Sequence, residues 1–168
     1  MTIHIGDTLP NTKLSEFIEV ETAGCSLGPN TFNTNDLIAN KKIIIFGLPG
    51  AFTPTCSAQH VPGYLEHANA FKAHGIDEIW CVSVNDAFVM GAWGRSQEST
   101  GTIRMMADGN AEFTKALGLD ADFSKYGMGI RSQRYSMLVE NGKVTQLNIE
   151  QAGQFTVSNA ETLLGQLS

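Results

Sequence analysis

The chain has 168 residues, with 11 basic against 17 acidic side chains and a formal charge of −6. That length makes one domain, residues 1–168, with enough chain to bury a core. The acidic balance excludes nucleic acid as the main partner, because phosphate binding needs a basic face.

No segment approaches the roughly 20 apolar residues that span a bilayer, so no membrane partner is expected. The start, MTIHIGDTLP, lacks the basic and apolar stretches of a secretion signal. Three cysteines spread over positions 25, 56 and 81 make a poor disulfide framework. A reducing, cytoplasmic location is the expectation, and there a cysteine is either inert or catalytic.

In chain order, KLSEFIEVE (13–21) reads as an edge strand, and NTNDLIAN as a short helix capped by Asn or Thr. KKIIIFG (41–47) is a β-branched run closed by glycine, the pattern of a strand buried on both faces. A helix is expected from about Cys56 to Ala73, kinked by Pro62 near Gly63 and stopped by Gly75. EIWCVSV (78–84) is a second buried strand, followed by a helix that Asn85 or Asp86 caps. IRMMAD (103–108) gives a third strand and AEFTKALGL a third helix. RYSMLVE-NG-KVTQLNIE (134–150) is a hairpin, since Asn141-Gly142 favours the type I′ turn that matches strand twist. SNAETLLGQL (158–167) closes the chain as a helix with Ser158 and Glu161 in capping-box spacing. This order is α/β: a thioredoxin-like fold with a mixed central β-sheet flanked by helices and an N-terminal extension.

Cys56 falls where a buried strand has ended and a helix begins. Free N–H groups and the positive end of the helix dipole stabilise an anion at such a place. For a thiol this raises the fraction of thiolate, the nucleophilic form. Pro49 and Pro54 stiffen the approach, and Thr53 stands three residues before the sulfur with a hydroxyl for a small ligand. An inert cysteine at a strand–helix junction is the competing reading.

PGAFTPTC carries Pro49, Thr53 and Cys56 in the PxxxTxxC spacing and resembles the peroxiredoxin signature. The stretch FGLPGAFTPTCSAQHVPGYLEHA resembles the peroxiredoxin-5 subfamily, the plant-like type II peroxiredoxins of the AhpC/TSA-redoxin superfamily. CVSVNDAFVMGAWGRSQ, ADGNAEFTKALGL and RSQRYSMLVENGKV do so as well. The likeness runs from about Gly6 to the C-terminus. It implies a thiol peroxidase that reduces hydrogen peroxide and organic hydroperoxides in antioxidant defence. Cys56 is then the peroxidatic thiolate that becomes a sulfenic acid, Thr53 holds the peroxide, and Pro49 shields the sulfur. Arg134, in RYSM, polarises the O–O bond; Arg131, three residues earlier, is the competing arginine.

A subfamily thiol near the C-terminus has no counterpart here, where Val157 and Ser158 stand. Plant-like members place a second cysteine 25 residues past the first, which falls on Cys81 as a resolving candidate. EIWCVSV is a buried-strand pattern, however, so an external thiol, glutathione or glutaredoxin, is the expected reductant, with thioredoxin as a further donor. Cys25, in AGCSLGPN, reads as an incidental loop residue. His60 is expected at the pocket rim with Phe52, while His67 and His74 read as solvated helix positions. The Cys56/His60 spacing is not completed by further ligands, so no metal is expected. The glycine motifs of nucleotide cofactors are absent, so no organic cofactor is expected either. The likeness further implies a homodimer with the Phe52 and Trp93 regions near its interface. A general disulfide oxidoreductase would need a C-x-x-C, which the chain lacks. A redox sensor signalling through oxidised Cys56 stays open as an additional role.

Overall fold

A computed structural model describes residues 1–20 and 26–167. The strands are β1 (Lys13–Val20), β2 (Ser26–Asn33), β3 (Lys42–Gly47), β4 (Glu78–Ser83), β5 (Arg104–Ala107), β6 (Asp120–Asp122), β7 (Ile130–Ser132), β8 (Tyr135–Glu140) and β9 (Lys143–Ile149). The helices are α1 (Thr34–Ile38), α2 (Val61–Glu66), α3 (Ala68–Ala73), α4 (Ala87–Ser96), α5 (Glu112–Leu117) and α6 (Ala160–Gln166). A π-helical turn, Cys56–His60, precedes α2, and a 3₁₀ turn covers Ser124–Tyr126.

Seven strands form one mixed sheet in the order β2-β1-β5-β4-β3-β8-β9. Its centre, β3, β4 and β5, is parallel, while β8 joins β3 antiparallel. Helices cover both faces, so alternate residues of the central strands enter two separate cores. Ile44, Phe46, Ile79 and Cys81 pack with Tyr64, Phe71 and Trp93. Ile43, Ile45, Trp80 and Val82 pack on the opposite face with Phe113 and Leu117. Gly47 ends β3 beneath the Tyr135 ring, where a Cβ would lie 2.1 Å from a ring carbon. No side chain larger than hydrogen fits there without displacing the buried Tyr135 ring.

The thioredoxin-like α/β arrangement and the Asn141-Gly142 hairpin agree with the sequence. Both turn residues have positive φ, 47° and 83°, as a type I′ turn requires. Several local readings are corrected. The 13–21 segment is not an edge, because β1 lies between β2 and β5. The edge is β2, in a stretch read as a polar loop. Gly28 and Pro29 hid it, yet proline is tolerated where no neighbour needs its missing N–H. Cys25 lies outside the described residues.

The helix after Cys56 does not break at Pro62. It breaks at His67, whose backbone leaves helical geometry (φ −96°, ψ 7°). Pro62 comes directly after the π-turn, whose i+5 bonding has already shifted the helical register and accommodates the missing N–H. Asp86 caps α4 by accepting from the Val89 N–H, which decides between the two cap candidates. Asn159 rather than Ser158 caps α6, accepting from the Thr162 N–H. Asn33 precedes α1 without a side-chain cap bond. The small β6–β7 sheet is an addition that the sequence reading lacked.

Candidate active site

The loop between β3 and the π-turn is pinned on several sides. Leu48 N–H donates to the Val82 carbonyl, and the Ala51 N–H donates to Asn85 Oδ1 at 3.0 Å. Asn85, freed from capping by Asp86, therefore anchors this loop. Ser83 Oγ donates to the same Asn85 oxygen at 2.6 Å, fixing the amide. Phe52 occupies the left-handed region (φ 63°) and is 56% exposed. Thr53 Oγ1 donates to the Gly50 carbonyl at 2.7 Å. Its proton is thus spent, and its lone pairs are left to accept from a ligand hydroxyl.

Helical structure begins at Pro54, so Cys56 lies in the first turn. The turn is wide: the Val61 N–H donates to the Cys56 carbonyl, the i+5 bond of a π-helix. Cys56 itself is fully covered. Arg134, between β7 and β8, donates through Nη2 to Cys56 Sγ at 3.2 Å and through Nη1 to His60 Nδ1 at 2.8 Å. Phe155 lies against the same guanidinium, 5.6 Å from its centre.

His60 is not at the rim. It is fully buried and packs between Phe46 and Phe155. Because arginine only donates, Nδ1 must be the acceptor, so Nε2 carries the proton and donates to the Ser158 carbonyl at 3.1 Å. Burial, reinforced by the Arg134 charge, pushes its pKa down to about 3, against the opposing pull of the Ser158 bond. The ring is a neutral brace for Arg134.

Arg131 does not reach the sulfur. Its Nε donates to the Met128 carbonyl at 2.9 Å and its Nη1 to the Pro49 carbonyl at 3.4 Å. It clamps the loop that Arg134 serves. A cavity of about 320 Å³ opens beside Pro49, Thr55 and Arg134, walled by Phe123, Gln154 and Phe155. Part of that wall comes from the overlooked β6–β7 unit.

Cys81 lies at the middle of β4 in the same buried core as Cys56. Both thiols are free. Burial raises the Cys81 pKa well above the ordinary value. Trp93 is fully buried and donates from Nε1 to Ser57 Oγ at 3.0 Å, tying α4 to the π-turn. His67 bonds Glu161 at 3.0 Å, so it is tethered to α6 rather than simply solvated.

Acid should loosen this centre. His60 is protonated near pH 6.5 in an unfolded chain but only near 3 in the folded one. Between those values the unfolded state binds more protons, so stability falls as pH falls. The loss is on the order of 4 kcal/mol across the window. The melting temperature is expected to drop steadily below about pH 6.5, and His60→Gln should flatten that slope.

The family model described as Redoxin matches residues 4–164. Peroxiredoxin-2C of Oryza sativa subsp. japonica is 48% identical over 162 residues, covering 96% of each chain. Reduced Prx3 from Vibrio vulnificus, solved in complex with hydrogen peroxide, superposes with a TM-score of 0.91 at 50% identity, covering 99% of this chain and 100% of that one. A Burkholderia cenocepacia structure, provisionally described as a thioredoxin reductase, gives a TM-score of 0.96 at 59% identity, covering 100% of this chain and 99% of that one. That description fits this chain poorly, which has neither a C-x-x-C nor a dinucleotide-binding glycine motif.

Proposed function

The chain belongs to the Redoxin family, among its peroxiredoxin thiol peroxidases, and on that premise we propose that Cys56 is its peroxidatic cysteine, served by Arg134, Thr53 and Pro49. The observation that carries this reading is the 3.2 Å contact between Arg134 Nη2 and Cys56 Sγ in the first turn of a helix. The thiolate attacks one peroxide oxygen, the O–O bond breaks, and the other oxygen leaves with the electron pair. Arg134, fixed in place beforehand, meets the charge that builds on both oxygens. Thr53 Oγ1 accepts the hydroperoxide O–H and sets it in line, while Pro49 shields the sulfur. The product at Cys56 is a sulfenic acid, and a proton converts the leaving oxygen to water or an alcohol. The mostly apolar wall of Phe123 and Phe155 suits the carbon chain of an organic hydroperoxide.

Glutathione or glutaredoxin reduces the sulfenic acid directly, with thioredoxin as a further donor. Burial of Cys81 in a central strand, with its thiol held protonated, supports an external reductant over an internal disulfide. The same burial offers no entry for a second thiol at Cys81 itself. A homodimer is expected around the Phe52 loop, where the exposed Phe52 ring lies 6.4 Å from the buried Trp93 ring. No helix is long and apolar enough to cross a membrane among the described residues.

Steady-state peroxide reduction, compared between glutathione with glutaredoxin and thioredoxin, tests the reading. Cys81→Ser is expected to keep at least about half of wild-type turnover with the glutathione system, since a buried thiol-to-hydroxyl exchange perturbs packing only mildly. Collapse of turnover with an unchanged melting temperature would assign resolution to Cys81 instead.

A further inference from the structure

Glu150 follows β9 and is buried, yet it is ionised and heavily bonded. Its carboxylate accepts from the backbone N–H groups of Thr156, Val157 and Ser158, at 2.8–3.0 Å. It also accepts from the Thr156 hydroxyl at 3.3 Å and the Ser158 hydroxyl at 2.7 Å. Burial alone would raise its pKa, but the bonds from Ser158, Thr156 and Val157 outweigh that and hold it at about 2. One carboxylate thus fixes three consecutive residues of a loop that has no strand or helix to hold it.

That loop carries two of the supports of Arg134. The Ser158 carbonyl accepts from His60 Nε2 and from the Tyr64 hydroxyl, at 3.1 and 2.9 Å. The Phe155 ring lies against both the guanidinium and the His60 ring. A third tie is direct, since the Glu150 N–H donates to the Arg134 carbonyl at 2.9 Å. Running outward from the sulfur, the path is Cys56, Arg134, His60, Ser158, Glu150, and every link is a hydrogen bond.

We propose that Glu150 is a positioning residue for peroxide reduction: its carboxylate orders residues 156–158 so that Ser158, through His60, aims the Arg134 guanidinium at Cys56. This rests on the reading of Cys56 as the peroxidatic cysteine. A general support of the fold would not need to converge on the cation that touches the reactive sulfur. Nor does the charge of Glu150 help the thiolate directly, because an anion near Cys56 opposes ionisation. Among the described residues, the charged or titratable groups facing Cys56 are Arg134 beside it, His60 behind Arg134, and Cys81 on β4. Any benefit to the thiolate must therefore pass through geometry.

That sign makes the test decisive. The second-order rate of the reduced full-length protein with hydrogen peroxide is measured between about pH 5 and 8 for wild type, Glu150→Gln and Cys56→Ser. Gln keeps the length of Glu but turns an amide N–H₂ toward backbone donors, so the loop loses its anchor. Glu150→Gln is expected to move the acid limb of the rate profile upward by about one pH unit. On the acid side of the limb, where the rate follows the ionised fraction, it should fall up to about tenfold per folded molecule, with the melt monitored alongside. An acid limb that stays in place or moves down overturns the proposal. So does a lower melting temperature with an unchanged profile, because that is a stability role alone. If Glu150→Gln does not fold, Ser158→Ala replaces it, removing one donor to the carboxylate but leaving the carbonyl on His60. It is expected to give a smaller shift in the same direction, about threefold in rate, and an unshifted profile overturns the proposal. Activity that survives in Cys56→Ser would sink the underlying reading and this proposal together. A dead Cys56→Ser beside an unshifted Glu150→Gln would sink this proposal only.

Discussion

Cys56→Ser is expected to lower the rate of peroxide consumption by roughly four orders of magnitude. Oxygen for sulfur changes the size of the side chain little, so the fully covered position should accept serine without loss of fold. The chemistry changes completely. A serine hydroxyl stays protonated beside Arg134 at neutral pH, and neutral oxygen is a poor nucleophile toward an O–O bond. Cys81 does not substitute for it, because burial keeps that thiol protonated and away from solvent. Mixing the reduced variant with one equivalent of hydrogen peroxide and following residual peroxide measures the effect. Circular dichroism checks that the fold persists. Consumption at the wild-type rate would mean that the reactive group lies elsewhere.

The second large effect is expected at Arg134. Removing one preorganised donor from a developing anion costs about 10²–10³ in rate. Arg134→Ala should fall in that range, because the sulfur and the leaving oxygen lose the donor fixed beside them. Arg134→Lys is expected to recover only part of the loss. An ammonium is a point charge, whereas this guanidinium donates to Cys56 and to His60 from two different nitrogens. Arg131 provides a contrast within the same loop neighbourhood, since it contacts the Pro49 carbonyl and not sulfur. Rate constants over a pH series for the two Arg134 variants check the prediction. Equal activity of Ala and wild type would remove Arg134 from the mechanism.

The sheet was largely legible in the sequence because its central strands are buried on both faces. IIIF and IWCV have no polar alternation to confuse, and glycine or serine marks their ends. Asn141-Gly142 was equally clear, since few other dipeptides adopt positive φ twice in succession. What failed was local and has physical causes. β2 carries a Gly-Pro pair that reads as a turn, and only its place at the sheet edge makes it tolerable. β6 and β7 are three residues each, too short for any periodicity. The capping box was misplaced by one residue because Ser158 has a stronger claim on it, a buried carboxylate 2.7 Å from its hydroxyl.

The site shows the same division. Cys56, Thr53 and Pro49 lie within eight residues, so spacing alone groups them. Arg134 was chosen over Arg131 through family likeness, and the geometry places it on the sulfur. His60 was seen but put at the rim, because helical spacing from Cys56 does not reveal that a π-turn and the 154–158 loop bury it. Glu150 carries no sequence signal, and Ser158 reads only as a helix cap. The Ser158 carbonyl meets His60 across 98 residues of chain, while the Glu150 carboxylate closes onto Thr156, Val157 and Ser158 with no motif to mark it.

Strand β4 has a neighbour hydrogen-bonded along each side, β3 and β5, so the thiol at its centre has little freedom to travel. If an outside donor closes the cycle, as proposed above, oxidised protein waits for a collision rather than for an internal rearrangement. Its lifetime would then scale inversely with donor concentration, and the two halves of turnover would become separately adjustable. Abundant donor would make the enzyme a scavenger; scarce donor would let the spent form accumulate as a record of the peroxide it has met.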